Sequence, residues 1–230
     1  MTTNENAEPI VRPATTHAAV TEYLRDRILS GVLRPGSRIL QAEVAAEVGT
    51  STTPVREALR QLVSEGLLVG DPHRGMTVHQ TSLTELVEMY EIRLALEPLL
   101  MASTVQRITD GDLERVSRLA IEMDDETDLT RYTRLNAQFH RTLANAANKP
   151  RIAAILANLR DLSTLYMAQF VRDGSDWDWI AAHNRDHKAL VVACQVRDID
   201  AAQEAERTHL SRNLEAAEIF LTTHATVVEA

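Results

Sequence analysis

The sequence predicts a mainly α protein: an N-terminal head of three helices closed by a small β-hairpin, then an antiparallel all-α bundle of about six helices. Three observations predict it. Apolar residues recur at three- and four-residue spacing along most of the chain, the period of a half-buried helix. Strand-like apolar runs are short and confined to the first third. Aromatics make up only 4% of the 230 residues, whereas good helix formers such as Ala, Leu and Glu abound.

Residues 1–16 are polar, carry two prolines and lack the apolar core of a signal peptide, so they are expected to form a disordered arm. Over 17–30, Val20, Leu24 and Ile28 form one helical stripe, and Gly31 stands where a left-handed cap belongs. Arg34-Pro35-Gly36 reads as a turn, and Ile39-Leu40 as a short apolar step. A short helix over 41–48 ends at Gly49. Hydroxyls at 50–53 and Pro54 then suit the start of a third helix. Val55, Leu59, Leu62 and Val63 are its buried stripe, and Gly66 stops it. Runs at 67–69 and 76–78 flank the turn Asp71-Pro72-His73-Arg74-Gly75. Helix, helix, turn, helix, hairpin is the winged helix-turn-helix plan, placed at 17–79.

Strand signals then disappear. Ser82 with Glu85 fits a capping box, and Thr109 with Asp112 a weaker one. Helices are expected at about 82–107, 110–126, 129–147, 149–172, 176–196 and 199–224. Pro150 suits a helix start. Residues 80–230 thus read as one helical bundle.

The net charge of −9 bears on partners. Residues 1–79 hold 8 basic and 9 acidic residues, and 80–230 hold 16 and 24, so the acidity sits in the bundle. A nearly neutral head binds nucleic acid if its arginines share a face. Cys194 is the single cysteine, which excludes an intrachain disulfide and fits a reducing, cytoplasmic setting. The longest apolar run, 189–194, is too short to cross a membrane.

On the third helix, Arg56 and Arg60 stand one turn apart, each one residue beyond a buried position. A recognition helix sets its N-terminal residues against base edges, where arginine bonds guanine twice and the hydroxyls of Thr52 and Thr53, which cap the same helix, reach phosphate or base. Arg74 at the hairpin tip is placed for an adjacent groove, and Arg34 and Arg38 for phosphate. Surface ion pairs with Glu57 or Glu65 are the plainer alternative. The stretch Ser51-Thr52-Thr53-Pro54-Val55-Arg56-Glu57-Ala58-Leu59-Arg60, with Glu65-Gly66-Leu67 and Arg74-Gly75-Met76-Thr77-Val78, resembles the DNA-binding domain of the GntR family of bacterial regulators. The resemblance implies DNA contacts from Arg56 and Gly75. It also marks a departure, because Thr52 stands where the family usually has Arg.

In the bundle, Asn136 and His140 lie one turn apart. His187 and His209 each lie 11 residues from Asp198, at equal heights in an antiparallel hairpin. Facing helices build metal sites this way, and imidazoles with one oxygen suit Zn, Ni or another divalent ion. Surface or hydrogen-bonded core histidines give the same spacing. Arg93 with Glu97, 136–140 with Leu143, Asn148-Lys149-Pro150, Asp186-His187 with Leu190, and His209-Leu210 resemble the FCD ligand-binding domain of the FadR subfamily, over 82–224. The resemblance implies that Asn136, His140, His187 and His209 hold a divalent cation, Asn136 standing where Asp is commoner. It also implies a small carboxylate effector, for whose other end Arg93 and Arg141 are candidates. His183 is either a bystander or a further polar contact, and Tyr132, Tyr166 and Met167 are possible pocket walls.

The expected function is a ligand-responsive transcriptional repressor. It would be a homodimer on a pseudo-palindromic double-stranded DNA operator, with no membrane partner. The alternatives are a metal-dependent enzyme built on the histidines and a protein-interaction scaffold.

Overall fold

The computed structural model describes the backbone of residues 16–71, 75–174 and 177–225, and the side chains of these except 71, 166–178 and 220–225. The head contains α1 (Thr16–Leu29), β1 (Arg38–Ile39), α2 (Gln41–Glu47), α3 (Thr52–Ser64), β2 (Leu68–Asp71) and β3 (Gly75–Val78). The bundle contains α4 (Leu83–Arg107), α5 (Asp110–Asp124), α6 (Leu129–Ala146), α7 (Pro150–Gly174), α8 (Trp177–Gln195) and α9 (Ile199–Ala225). The expected arm lies almost wholly outside the described residues.

The stripe of α1 is buried as its spacing requires: Val20, Leu24 and Ile28 meet Val55, Leu59 and Leu62 of α3 in one core. Two features differ from expectation. The wing is a three-stranded antiparallel sheet, because Arg38 and Ile39 pair with Thr77 and Met76. A two-residue strand is too short to show period-two alternation, so Ile39 alone gave no strand signal. The N-cap of α3 is Ser51, and its side chain makes no capping bond. The cap boxes also exchange rank. Thr109 and Asp112 cap each other reciprocally, whereas Ser82 receives Glu85 N–H but the Glu85 carboxylate turns to His79.

Gly75 opens β3 at φ +81°, where a side chain is disfavoured. A Cβ there would meet the Arg38 guanidinium only at ordinary contact, 3.7 Å. Gly75→Ala is therefore expected to cost about 1–2 kcal/mol through backbone strain alone. Urea unfolding measures it, and an unchanged midpoint would contradict it.

In the bundle, α4 lies along α9, α5 packs on α6 and α8, and α8 on α9. Val116, Met123, Phe139, Leu190 and Cys194 centre the main core. The α7 helix joins the two halves. Leu165 and Leu162 complete the core of the head, and Asn158 Nδ2 donates to the Glu65 carbonyl at the end of α3, 2.7 Å away. Arg25 of α1 donates to Asp161 (2.8 Å) and Glu65 (2.5 Å), and Arg134 of α6 to Asp26 (2.6 Å).

Burial pushes the Asp161 carboxyl up to about 6, against the pull of Arg25. An unfolded chain releases that proton near pH ~3.9. The fold thus gains most from Asp161 below about pH 4 and loses that gain as pH rises to about 6. Asp161→Asn is expected to gain stability relative to wild type as pH rises through this window. Urea melts across it test the sign, and a difference independent of pH would contradict it.

Candidate metal centre and nucleic-acid interface

Three helices bring imidazoles to the bundle centre. His140 comes from α6, His187 from α8 and His209 from α9, and all three are buried. One ligand atom from each fits within 4.8 Å of the others. Ring centroids are 5.2, 5.3 and 5.0 Å apart. The equal height of His187 and His209 about the α8–α9 turn puts them face to face.

The donors fit a divalent ion. His187 Nε2 stands 3.3 Å from His140 Nε2. Bonds of ~2.0–2.1 Å to a tetrahedral ion place two nitrogens ~3.3 Å apart. Two neutral imidazoles at that distance share at most one N–H, so the pair alone leaves lone pairs over. Asn136, one turn before His140, keeps its Oδ1 buried with no hydrogen-bond partner among the described residues. Burial pushes the His187 imidazole down to about 3. Burial, then Arg160 and His187, holds His140 well below its ordinary range, and burial, then His187 and His140, does the same to His209. Neutral imidazole is the form that ligates.

The surroundings orient these rings. Asp186 Oδ2 lies 3.9 Å from His209 Nδ1 and accepts from Arg212 Nε at 2.9 Å. Asn213 Nδ2 lies 3.2 Å from His209 Nε2. His183, also buried, sets its ring centroid 4.4 Å from those of both His187, edge-on, and His209, tilted. Tyr132 Oη lies 2.8 Å from His183 Nδ1 and 2.9 Å from Asn184 Oδ1.

A cavity of about 810 Å³ opens from this cluster, lined by His140, His183, His209, Asn136, Arg93 and Arg141 among others, and it extends to Arg25 and Asp161 at the joint with the head. Arg93 is committed in part: its Nε donates to Glu97 at 2.7 Å. Arg160 donates to the other Glu97 oxygen at 2.6 Å. Burial works to raise Glu97, but Arg160 and Arg93 outweigh it and hold the carboxyl well below its usual range. Glu206 is driven up by burial and by Glu97. Arg141 is exposed and makes no ion pair among the described residues. Tyr132 is a wall of the cavity, whereas the side chains of Tyr166 and Met167 lie outside the described residues.

On the head, Val55, Ala58, Leu59 and Leu62 of α3 are buried, and Thr52, Thr53, Arg56 and Arg60 are exposed on the other face. Neither arginine forms an ion pair among the described residues, and Glu65 is held by Arg25 and Gln61 instead. Arg34 and Arg38 are exposed. The Arg38 side chain reaches Gly75 in the wing. Arg74 lies outside the described residues.

Comparison with known proteins bears on both halves. Residues 16–78 match the family of bacterial regulatory proteins, gntR family, and residues 88–212 match the FCD domain. The chain belongs to the GntR family. It is a GntR regulator with an FCD domain, and its relatives are transcriptional regulators rather than enzymes. The Paenarthrobacter nicotinovorans protein named "Probable D-xylose utilization operon transcriptional repressor" is 30% identical over 208 residues, 88% of each chain. The gluconate operon transcriptional repressor of Bacillus subtilis (strain 168) is 26% identical over 190 residues, covering 80% of this chain and 78% of that one. The solved structure of E. coli McbR/YncC superposes with a TM-score of 0.80 at 23% identity, covering 88% of this chain and 96% of that one. It shares the fold of this GntR chain. Among the described residues, no helix is long and apolar enough to cross a membrane.

Sequence reading missed Asn213, Arg160 and Glu206. Asn213 follows His209 by one turn, mirroring Asn136 before His140, so the same spacing rule applied forward from His209 finds it. Arg160 and Glu206 gave no such signal, because their partner Glu97 is 63 residues from the first and 109 from the second.

Proposed function

We propose that this GntR regulator, of the FadR subfamily, is a cytoplasmic homodimeric repressor. Its heads, residues 17–79, bind the half-sites of a pseudo-palindromic operator. Its domain at 80–230 senses a small carboxylate. On the head, Arg56 and Arg60 meet base edges, Thr52 and Thr53 meet base or phosphate, and Arg34, Arg38, Arg74 and Gly75 meet the backbone or the neighbouring groove. In the bundle, Asn136, His140, His187 and His209 hold a divalent ion, zinc or nickel. That ion would supply a Lewis-acidic seat for a carboxylate oxygen. Arg93, Arg141 and His183 then meet the rest of the ligand. The observation that carries this reading is the convergence of three buried imidazoles, two of which line one cavity, in a chain whose head exposes two arginines with no ion pair among the described residues.

The coupling runs through α7. One helix carries Arg160, in the cavity wall and bonded to Glu97, Asp161 on Arg25, and Asn158 on the Glu65 carbonyl that caps the recognition helix. Ligand acts by binding one pose of α7 more tightly than another. A coupling of ~1–3 kcal/mol shifts operator affinity ~5–150-fold.

Fluorescence anisotropy with a duplex from the adjoining intergenic region tests the DNA assignment. Binding that weakens steeply as salt rises is expected, because phosphate contacts release counterions. Absence of saturable binding to any segment of that region would contradict the reading.

A further inference from the structure

The Tyr132–His183 contact settles where the single ring proton of His183 sits. Asn184 Nδ2 donates to the Met123 carbonyl at 3.1 Å, which fixes its Oδ1 toward Tyr132. That oxygen only accepts, so it takes the one proton Tyr132 has to give. Tyr132 Oη stands 2.8 Å from His183 Nδ1 and has no second proton. The contact is therefore a hydrogen bond only if His183 Nδ1–H donates to Tyr132. The reverse assignment would leave two acceptor oxygens facing each other 2.9 Å apart in a buried place. The relay Met123 carbonyl, Asn184, Tyr132, His183 thus leaves Nε2 as a bare lone pair on a cavity wall. Among the described residues nothing bonds to Nε2, and the group of three imidazoles that converge does not include His183.

Resting on the proposed carboxylate reading, we infer that His183 Nε2 is a fixed hydrogen-bond acceptor for the effector, and that the effector is a hydroxy-carboxylate. Its carboxylate sits at the imidazole triad and its neighbouring hydroxyl donates to His183. The ring centroids of His183 and His209 are 4.4 Å apart, so one small acid reaches both rings. A carboxylate with an ether or carbonyl there would set a second acceptor against the lone pair and be rejected. A site built to bond a hydroxyl discriminates strongly against analogues that lack it.

Two measurements on the full-length, zinc-loaded protein test this. The first is long-range 1H–15N correlation NMR of histidine-labelled protein, with the His183 signals identified by their loss in His183→Asn. Nδ1–H with an unprotonated Nε2 is expected, and in Tyr132→Phe this preference relaxes. An Nε2–H ring in the wild type would overturn the inference. The second is calorimetric titration with glycolate and with methoxyacetate, in which a methyl group replaces the hydroxyl proton. Glycolate is expected to bind at least ~5-fold more tightly, the low end for one lost hydrogen-bond partner, and Tyr132→Phe is expected to narrow the gap although His183 is intact. Equal binding of both acids would overturn the hydroxyl inference and leave the carboxylate reading standing. Binding of neither would remove both. Coupling of His183 Nε2 to bound cadmium-113 would make it a metal ligand and would also overturn the assignment.

Discussion

Arg56→Ala is expected to lower operator affinity by about 1–3 kcal/mol, roughly 5- to 150-fold, the worth of one bidentate base contact. The side chain is exposed on α3 and makes no ion pair among the described residues, so removing it breaks nothing that holds the head together. Substitutions at such positions usually change stability by less than ~0.5 kcal/mol. The thermal midpoint and zinc content should therefore match the wild type. The sequence preference at one base pair per half-site should also relax. Anisotropy titrations on the operator and on single-base variants measure both effects, and an unchanged operator affinity would remove Arg56 from the reading surface.

His140→Ala has the larger expected effect on the bundle. It removes one of three nitrogens that lie within 4.8 Å of one another and leaves a ring-sized void beside Phe139. Outer partners of metal ligands are worth ~10–100-fold in metal affinity, and a direct ligand should exceed that range. Zinc retained after dialysis, read by elemental analysis, should fall from near one per protomer to near none. DNA binding by the metal-free variant should persist, because His140 stands on α6 of the bundle whereas Arg56 and Arg60 stand on the exposed face of α3. Stoichiometric zinc in this variant would mean the triad is not the site.

Much of this protein is legible in its sequence because its elements are long and periodic. The six bundle helices fall within a few residues of their expected limits, as Asp198 and Pro150 mark breaks that the backbone obeys. The pairing of His187 with His209 was legible because helical rise converts equal counting from one turn into equal height, and His140 joined them through the resemblance to the FCD domain. What was not legible depends on distant partners or very short segments. Arg38–Ile39 becomes a strand only because β3 offers an edge. Glu85 fails its capping box because His79 competes for the carboxylate. Leu162 and Leu165 look like ordinary bundle residues, yet they finish the core of the head. Arg93 and Glu97 stand one turn apart on α4, but the Arg160–Glu97 pair that joins α4 to α7 links side chains that no periodicity relates.

The central claim divides the work between an arginine-bearing helix on DNA and an imidazole triad that seats an ion in the same chain. Diffraction from the protein crystallised with its operator, recorded at the zinc edge, tests both halves in one experiment. The account predicts one anomalous peak per protomer bounded by His140, His187 and His209, with Arg56 of α3 in the major groove. A peak elsewhere or none, or an α3 turned away from the bases, would contradict it.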